Sequence, residues 1–383
     1  MSSELHWRIG YEKAFCFQKS GQFDQAESLA RRLLELPIPD DVAHGDIINM
    51  LGLTRLDKGL FSEAEQFYKR ALKIREVSGF KDKLAISYNN LGYVASNRGQ
   101  LQKALDLYKQ SAKLFEETGK KKLFSTPLTN LGRLYADLGE VRLSKEYYLA
   151  ALELRKELGD QSLIQRTIVD LLQVFREFNL KTEAILLVER NLSFKRRLPV
   201  IGTLDLVKKA IMSMFEGTKS ENQGSPLHLW ETALNRKALP FEHKLLAYES
   251  LAEILLKSWR KDNSQGVLVR LQQHLAEWQT VCEKNKLSPA FLKAKIISGK
   301  LSSNTFNFEK AEDIFGETIK ISEKTGLTLH MELARRELEK IEDFKTFFKG
   351  ASKPEFEEVE YEEILTYIKN IRPILAQFRG AQE

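Results

Sequence analysis

Four segments of the chain repeat one pattern at a fixed interval of 40 residues. The slot filled by Leu51-Gly52 returns as Leu91-Gly92, Leu131-Gly132 and Leu171-Leu172. Gly59, Gly99, Gly139 and Asn179 follow in step. So do Ala64, Ala104, Ser144 and Ala184, and then Tyr68, Tyr108, Tyr148 and Val188. A period between about 20 and 50 residues belongs to stacked repeat architectures, in which each unit buries its apolar face only against its neighbours. Such a stack makes a long curved surface rather than a closed pocket, which suits the binding of another protein.

Each unit reads as two helices. Over residues 83–98, Leu84, Tyr88, Leu91, Gly92 and Ala95 fall at helical spacing and form one apolar face. Gly99 then supplies a left-handed turn that ends this helix at little conformational cost. Residues 102–117 carry Ala104, Leu105, Tyr108, Ala112 and Phe115 along a second face, closed by Gly119 as Gly79 and Gly159 close theirs. The small residues are expected at the helix crossings, with Gly52, Gly92 and Gly132 facing Ala64, Ala104 and Ser144. The tyrosines are expected to fill the space between units.

This pattern resembles the tetratricopeptide repeat, whose small, glycine, alanine, aromatic and final small slots are filled here by Gly92, Gly99, Ala104, Tyr108 and Ser111. The usual unit of that family has about 34 residues. The longer unit looks more like the variant of kinesin light chains, Leu-Gly-Asn cell-polarity adaptors and Rap-type and MalT-type regulators. The resemblance implies an all-α fold, a right-handed α-solenoid of stacked antiparallel helix pairs. It also implies a protein or peptide partner held along the concave surface. A second reading is a regulatory sensor that changes shape on binding a small peptide or ligand.

The rhythm divides the chain into an array of five pairs over 1–198, degenerate pairs continuing the solenoid over 199–350, and an acidic linker with a last helix over 351–383. The first unit is looser, with Ala14, Gly21, Ala26 and Leu33 in the slots, and the fifth departs at Leu172 and Asn179. In the second half, helices are expected over 203–215, 227–239, 241–259, 265–286, 308–324 and 327–348. A separate helical domain is the other reading of this half. The last segment is either a solvated cap or an acidic strand that competes for the groove.

In the resembled family the first helix of each pair lines the inner wall. The residues there that the core does not use are the candidate groove: Asn49, Asn89, Asn90, Tyr93, Asn97, Asn130, Arg133, Arg166, Asp170, Gln173 and Arg176. Asn49 and Asn89 share a register, as do Asn90 and Asn130. A side-chain amide offers both a donor and an acceptor, so it can hold the backbone of an extended peptide whatever its side chains. Arg133, Arg166 and Arg176 add cations suited to carboxylates, although Arg133 and Asp137, four residues apart, are also placed to pair with each other.

Other chemistry finds little support. The six histidines follow no metal-binding spacing, and no glycine-rich phosphate loop or nucleophile elbow occurs. Neither a catalytic centre nor a cofactor is therefore expected. The net charge of +6, from 59 basic and 53 acidic residues, is too mild to demand nucleic acid. Lys120 to Lys122 and Lys195 to Arg197 read as solvated surface. No apolar run is long enough for a membrane span and no signal-peptide core is visible, so a cytoplasmic protein is expected. The two cysteines, Cys16 and Cys282, are expected to pack as small apolar residues.

Overall fold

The computed structural model describes residues 3–36, 40–191, 225–235, 241–262 and 264–347. Among them are sixteen α-helices and no strand. They are α1 (Ser3–Lys19), α2 (Phe23–Leu34), α3 (Asp41–Asp57), α4 (Phe61–Ser78), α5 (Lys81–Asn97), α6 (Leu101–Glu117), α7 (Lys121–Asp137) and α8 (Val141–Glu157). Then come α9 (Gln161–Glu177), α10 (Lys181–Arg190), α11 (Pro226–Leu234), α12 (Phe241–Asp262), α13 (Gln265–Asn285), α14 (Ser288–Asn304), α15 (Phe308–Thr325) and α16 (Thr328–Phe347). The expected helix over 203–215, the Lys195 to Arg197 cluster and the segment 351–383 lie outside the described residues. The helix α14 had no counterpart in the sequence reading.

The helices are antiparallel neighbours in a right-handed solenoid, and one contact fixes the spacing within four of the pairs. A Cβ built on Gly52, Gly92 or Gly132 would stand 2.5, 2.8 or 2.6 Å from the ring of Tyr68, Tyr108 or Tyr148. The glycines thus face the tyrosines of their own pair, not Ala64, Ala104 and Ser144 as the sequence suggested. Each ring also shares an apolar cluster with the next pair: Tyr68 with Leu91 and Val94, Tyr108 with Leu131 and Leu134. The same device recurs in the second half, where a Cβ on Gly299 would meet the ring of Phe315 at 2.5 Å. The 16-residue spacing of glycine and ring is identical in all four pairs.

The turns between paired helices are equally uniform. Gly59, Gly99 and Gly139 have φ between 72° and 79°. Each donates its N–H to the carbonyl three residues back, while the following residue reaches five back, as in Gly99 to Ser96 at 2.9 Å and Gln100 to Ala95 at 2.9 Å. Asn179 departs from the pattern in sequence but not in conformation, with φ 55° and the same pair of bonds. Phe306 takes the slot after α14 at φ 56°, which is rare for so bulky a residue. Its ring packs against Phe308 and Phe344.

The superhelix closes on itself. Gly59 abuts the ring of Phe241 at the start of α12, and Gly99 abuts Ser288 and Thr325. The Ser288 hydroxyl donates to the Arg98 carbonyl at 3.1 Å across 190 residues of sequence. Leu292 and Leu327 join Leu131 and Leu134 in one cluster. The N-terminal ends of α12 and α14 therefore meet the C-terminal ends of α3 and α5, an arrangement in which the helix dipoles attract. One cysteine departs from expectation: Cys282 is buried, but Cys16 is exposed.

Alanine at Gly92 would overpack the Tyr108 contact, at about 1–3 kcal/mol, against a helix-propensity gain of about 1 kcal/mol. A Cβ on Gly316, in α15, meets nothing within 4 Å. Urea denaturation should therefore show Gly92→Ala destabilising and Gly316→Ala stabilising, and adding Tyr108→Leu should recover part of the Gly92→Ala loss.

Candidate functional site

The inner wall is built from α3, α5, α7 and α9, and it divides lengthwise into two strips. The strip across the middle of these helices carries an amide ladder. Asn90 donates to Asn49 at 2.8 Å, and Asn130 donates to Asn89 at 2.8 Å. Each bond spans two neighbouring pairs, with the same separation of 41 residues. Asn49 and Asn89 are buried, whereas Asn90 and Asn130 are half-buried and remain within reach of solvent. Arg166, exposed, and Asp170, half-buried, continue the strip on α9. Asp170 holds the register of Asn90 and Asn130.

Behind the ladder lie two buried arginines. The Arg75 guanidinium donates to Asp46 at 2.8 Å, Ser87 at 2.9 Å, the Lys83 carbonyl at 3.2 Å and Asn49 at 3.4 Å. Eighty residues on, Arg155 donates to Ser125 at 3.0 Å, to the carbonyls of Ser125 and Leu163, and to Thr129 and Thr167. Arg75 has a carboxylate partner; Arg155 is held by neutral oxygens. Its desolvation, only partly offset by Asp170, pulls its pKa down to about 10. Phe115 fills the same slot in the pair between them. These arginines fix the wall helices from behind and escaped the sequence reading, although their spacing of two repeat lengths was visible.

The second strip, toward the C-terminal ends, is engaged by the chain's own second half. Asn97 bonds back to the Tyr93 carbonyl at 2.9 Å, and the Tyr93 ring stacks near Phe61 at 6.5 Å. Arg133 pairs with Asp137 at 3.0 Å and with Glu177 at 3.2 Å. Gln173 donates to Glu177 at 3.1 Å. Arg176 pairs with Glu249 at 3.1 Å and Glu253 at 2.7 Å, both on α12. Lys293 of α14 completes the cluster, 2.6 Å from Glu177 and 3.2 Å from Glu249. The candidate groove residues thus separate into an open ladder and a closed ionic seam. Glu177 belongs to the inner face of the fifth unit as the sequence suggests, whereas Lys293, Glu249 and Glu253 were missed because their meeting with it depends on how tightly the superhelix winds.

Electrostatics in the seam follows from burial. Desolvation pushes the Glu177 carboxyl up, but Arg133, Lys293 and Arg176 outweigh it and hold the acid well below the ordinary range. Asp137 sits under one arginine in the same dry environment, and there burial wins and raises its pKa. Among the described residues no group of three His, Cys, Asp or Glu could hold a metal ion. No helix there is long and apolar enough to cross a membrane.

These features belong to a tetratricopeptide-type superhelix. The chain belongs to the MalT-like tetratricopeptide-repeat family, whose model matches residues 11–288. Among solved structures, the Rap conjugation gene regulator of the plasmid pLS20, in complex with the Phr* peptide, has a TM-score of 0.55 over 84% of this chain and 96% of its own, at 12% identity. A Rap protein complexed with competence and sporulation factor has a TM-score of 0.51 over 91% of this chain and 99% of its own, at 15% identity. BtubC (BKLC) from P. vanneervenii is 24% identical over 55% of this chain and 80% of its own, with a TM-score of 0.40. These likenesses describe the fold. No protein with a curated description matches the chain.

Lys293→Met would leave Glu177 with Arg133 and Glu249 with Arg176 but remove the cation the two acids share, at no more than the about 3–5 kcal/mol of a buried ion pair broken from one side. Denaturant titration should show a loss within that bound. Adding Glu177→Gln should give a smaller loss than the sum of the two single changes, since the residues share one network.

Proposed function

We propose that the protein is a non-enzymatic interaction scaffold, or adaptor, that binds a peptide or helical segment of a partner protein along its concave wall. The observation that carries this reading is the amide ladder. Asn90 and Asn130 are oriented by their bonds to Asn49 and Asn89, so little side-chain freedom remains to be lost on binding. Successive pairs pack about 10 Å apart, which is about three residues of extended chain. One wall amide would then meet every third residue of a bound segment, reading its backbone and leaving its side chains to select. Arg166 and Asp170 would extend the contact at one end, and a cytoplasmic location fits this role.

The closed seam favours a second reading, a regulatory sensor. Arg176 belongs to the same wall but is paired with α12, and Arg133 and Gln173 bond Glu177, which Lys293 of α14 also holds. A segment that engages both strips would have to separate the two turns, so binding and shape would be coupled. Of the solved structures with this fold, one is a complex with the Phr* peptide and another a complex with competence and sporulation factor.

A peptide array screened against the full chain would identify a binding sequence. Asn90→Ala with Asn130→Ala should then weaken that peptide by about tenfold or more, since each amide bond contributes about 1 kcal/mol. Helical circular dichroism should be unchanged. Undiminished affinity would remove the ladder as the binding strip.

A further inference from the structure

The second half of the chain places one more titratable group at the closure. His330, in the first turn of α16, is fully buried. Neither ring nitrogen has a hydrogen-bond partner. Buried imidazoles ordinarily satisfy at least one nitrogen, and a cation formed there would be unsolvated. Three residues earlier, Leu327 packs with Leu131 and Leu134 of α7, so the start of α16 lies on the inter-turn contact.

The charged groups around it come from several helices. From α14 there is Lys293, from α9 Glu177, and from α7 Arg133. Asp137 of α7 belongs to the same network through Arg133. Three acids of α15 pair elsewhere, Glu312 with Lys345 and Glu323 with Arg335 on the exposed side of α16, and Glu317 with Lys295. Lys300 of α14 reaches Glu337, two helical turns beyond His330.

We propose that this closure is an acid-sensitive latch: the two turns of the superhelix stay together while His330 is neutral, and protonation of His330 drives them apart. Separation would expose the ring to water and free the second strip of the wall. The proposal stands on the geometry of the closure and does not depend on what the wall binds.

The direction follows from linkage. Desolvation first, and then Lys293 and Arg133 against the opposing pull of Glu177, lower the His330 pKa from 6.5 to about 3. The open form therefore takes up the proton more readily, so the closed form is fully favoured above pH 6.5 and loses ground as pH falls from there toward 3. At pH 5.5, one unit below the free value, the ratio of closed to open falls by about tenfold. Two carboxylates of the same network also respond to pH. The raised pKa of Asp137 favours closure in acid, opposing His330, and the depressed value of Glu177 favours opening.

Hydrogen exchange reads an opening equilibrium even when the open form is rare. The full chain would be compared at pH 7.5 and 5.5, with exchange corrected for the intrinsic pH dependence of amide chemistry. Protection of amides in 128–134 and 330–334 should fall about tenfold at the lower pH, while amides in 104–108 keep theirs. In His330→Phe, which fills the site without a titrating group, protection should be the same at both pH values. His330→Gln, polar but non-titrating, should behave likewise and serves where the phenylalanine variant does not fold. The proposal is overturned if wild-type protection at the closure is flat, if 104–108 loses protection equally, or if either variant keeps the wild-type pH response.

Discussion

The approach of the helices in four of the pairs is set where a Gly Cα passes under an aromatic ring. With no Cβ on Gly52, Gly92, Gly132 or Gly299, the rings of Tyr68, Tyr108, Tyr148 and Phe315 occupy the volume that a side chain would take. Each ring is buried and belongs to a cluster that includes the next pair or the one beyond it. The contact therefore does two things at once. It fixes the distance within a pair and presents a hard surface on which the next pair stacks. Errors in that distance would accumulate along the array, because each pair is positioned only by its neighbours.

The tight winding that results brings unlike parts of the sequence together. The turns at Gly59 and Gly99 need a left-handed residue to end their helices, and they also need the bare Cα to admit Phe241, Ser288 and Thr325. Gly139, in the same register, meets nothing. One conserved geometry thus carries a purely local duty in one repeat and a long-range duty in two others. Burial of the seam's charges is unfavourable by itself and is offset only because every cation there has at least one carboxylate at bonding distance. Such a network contributes less to stability than to selecting one relative placement of the two turns.

What could be read from the sequence follows the same division. The pairs, their turns and the register of Asn49, Asn89, Asn90 and Asn130 were legible because they are local and periodic. The bonds within that ladder were not, since they depend on the rotation of one pair against the next. Helix α14 was passed over because its apolar residues are distributed around its circumference: Leu292, Ala294, Ile296 and Ile297 are all buried, and the helix is packed on several sides. A helix in the middle of a structure lacks the single apolar stripe on which periodicity relies. Its Gly299, 16 residues before Phe315, was the available signal. The seam had no comparable mark, because Lys293 and Glu249 look like any solvated helix charges until the superhelix closes.

The two strips of the wall also differ in what a bound segment would have to overcome. On the ladder, a backbone amide of the proposed partner would bond Asn90 and Asn130 where their side chains already lie, held by Asn49 and Asn89. On the seam, the same segment would compete with Glu249, Glu253 and Lys293, which are attached to the chain and so are present at high effective concentration. In the proposed reading, initial capture would therefore belong to the ladder. A change of shape requires either a segment long enough to gain contacts on both strips or a shift in the charge state of the seam itself.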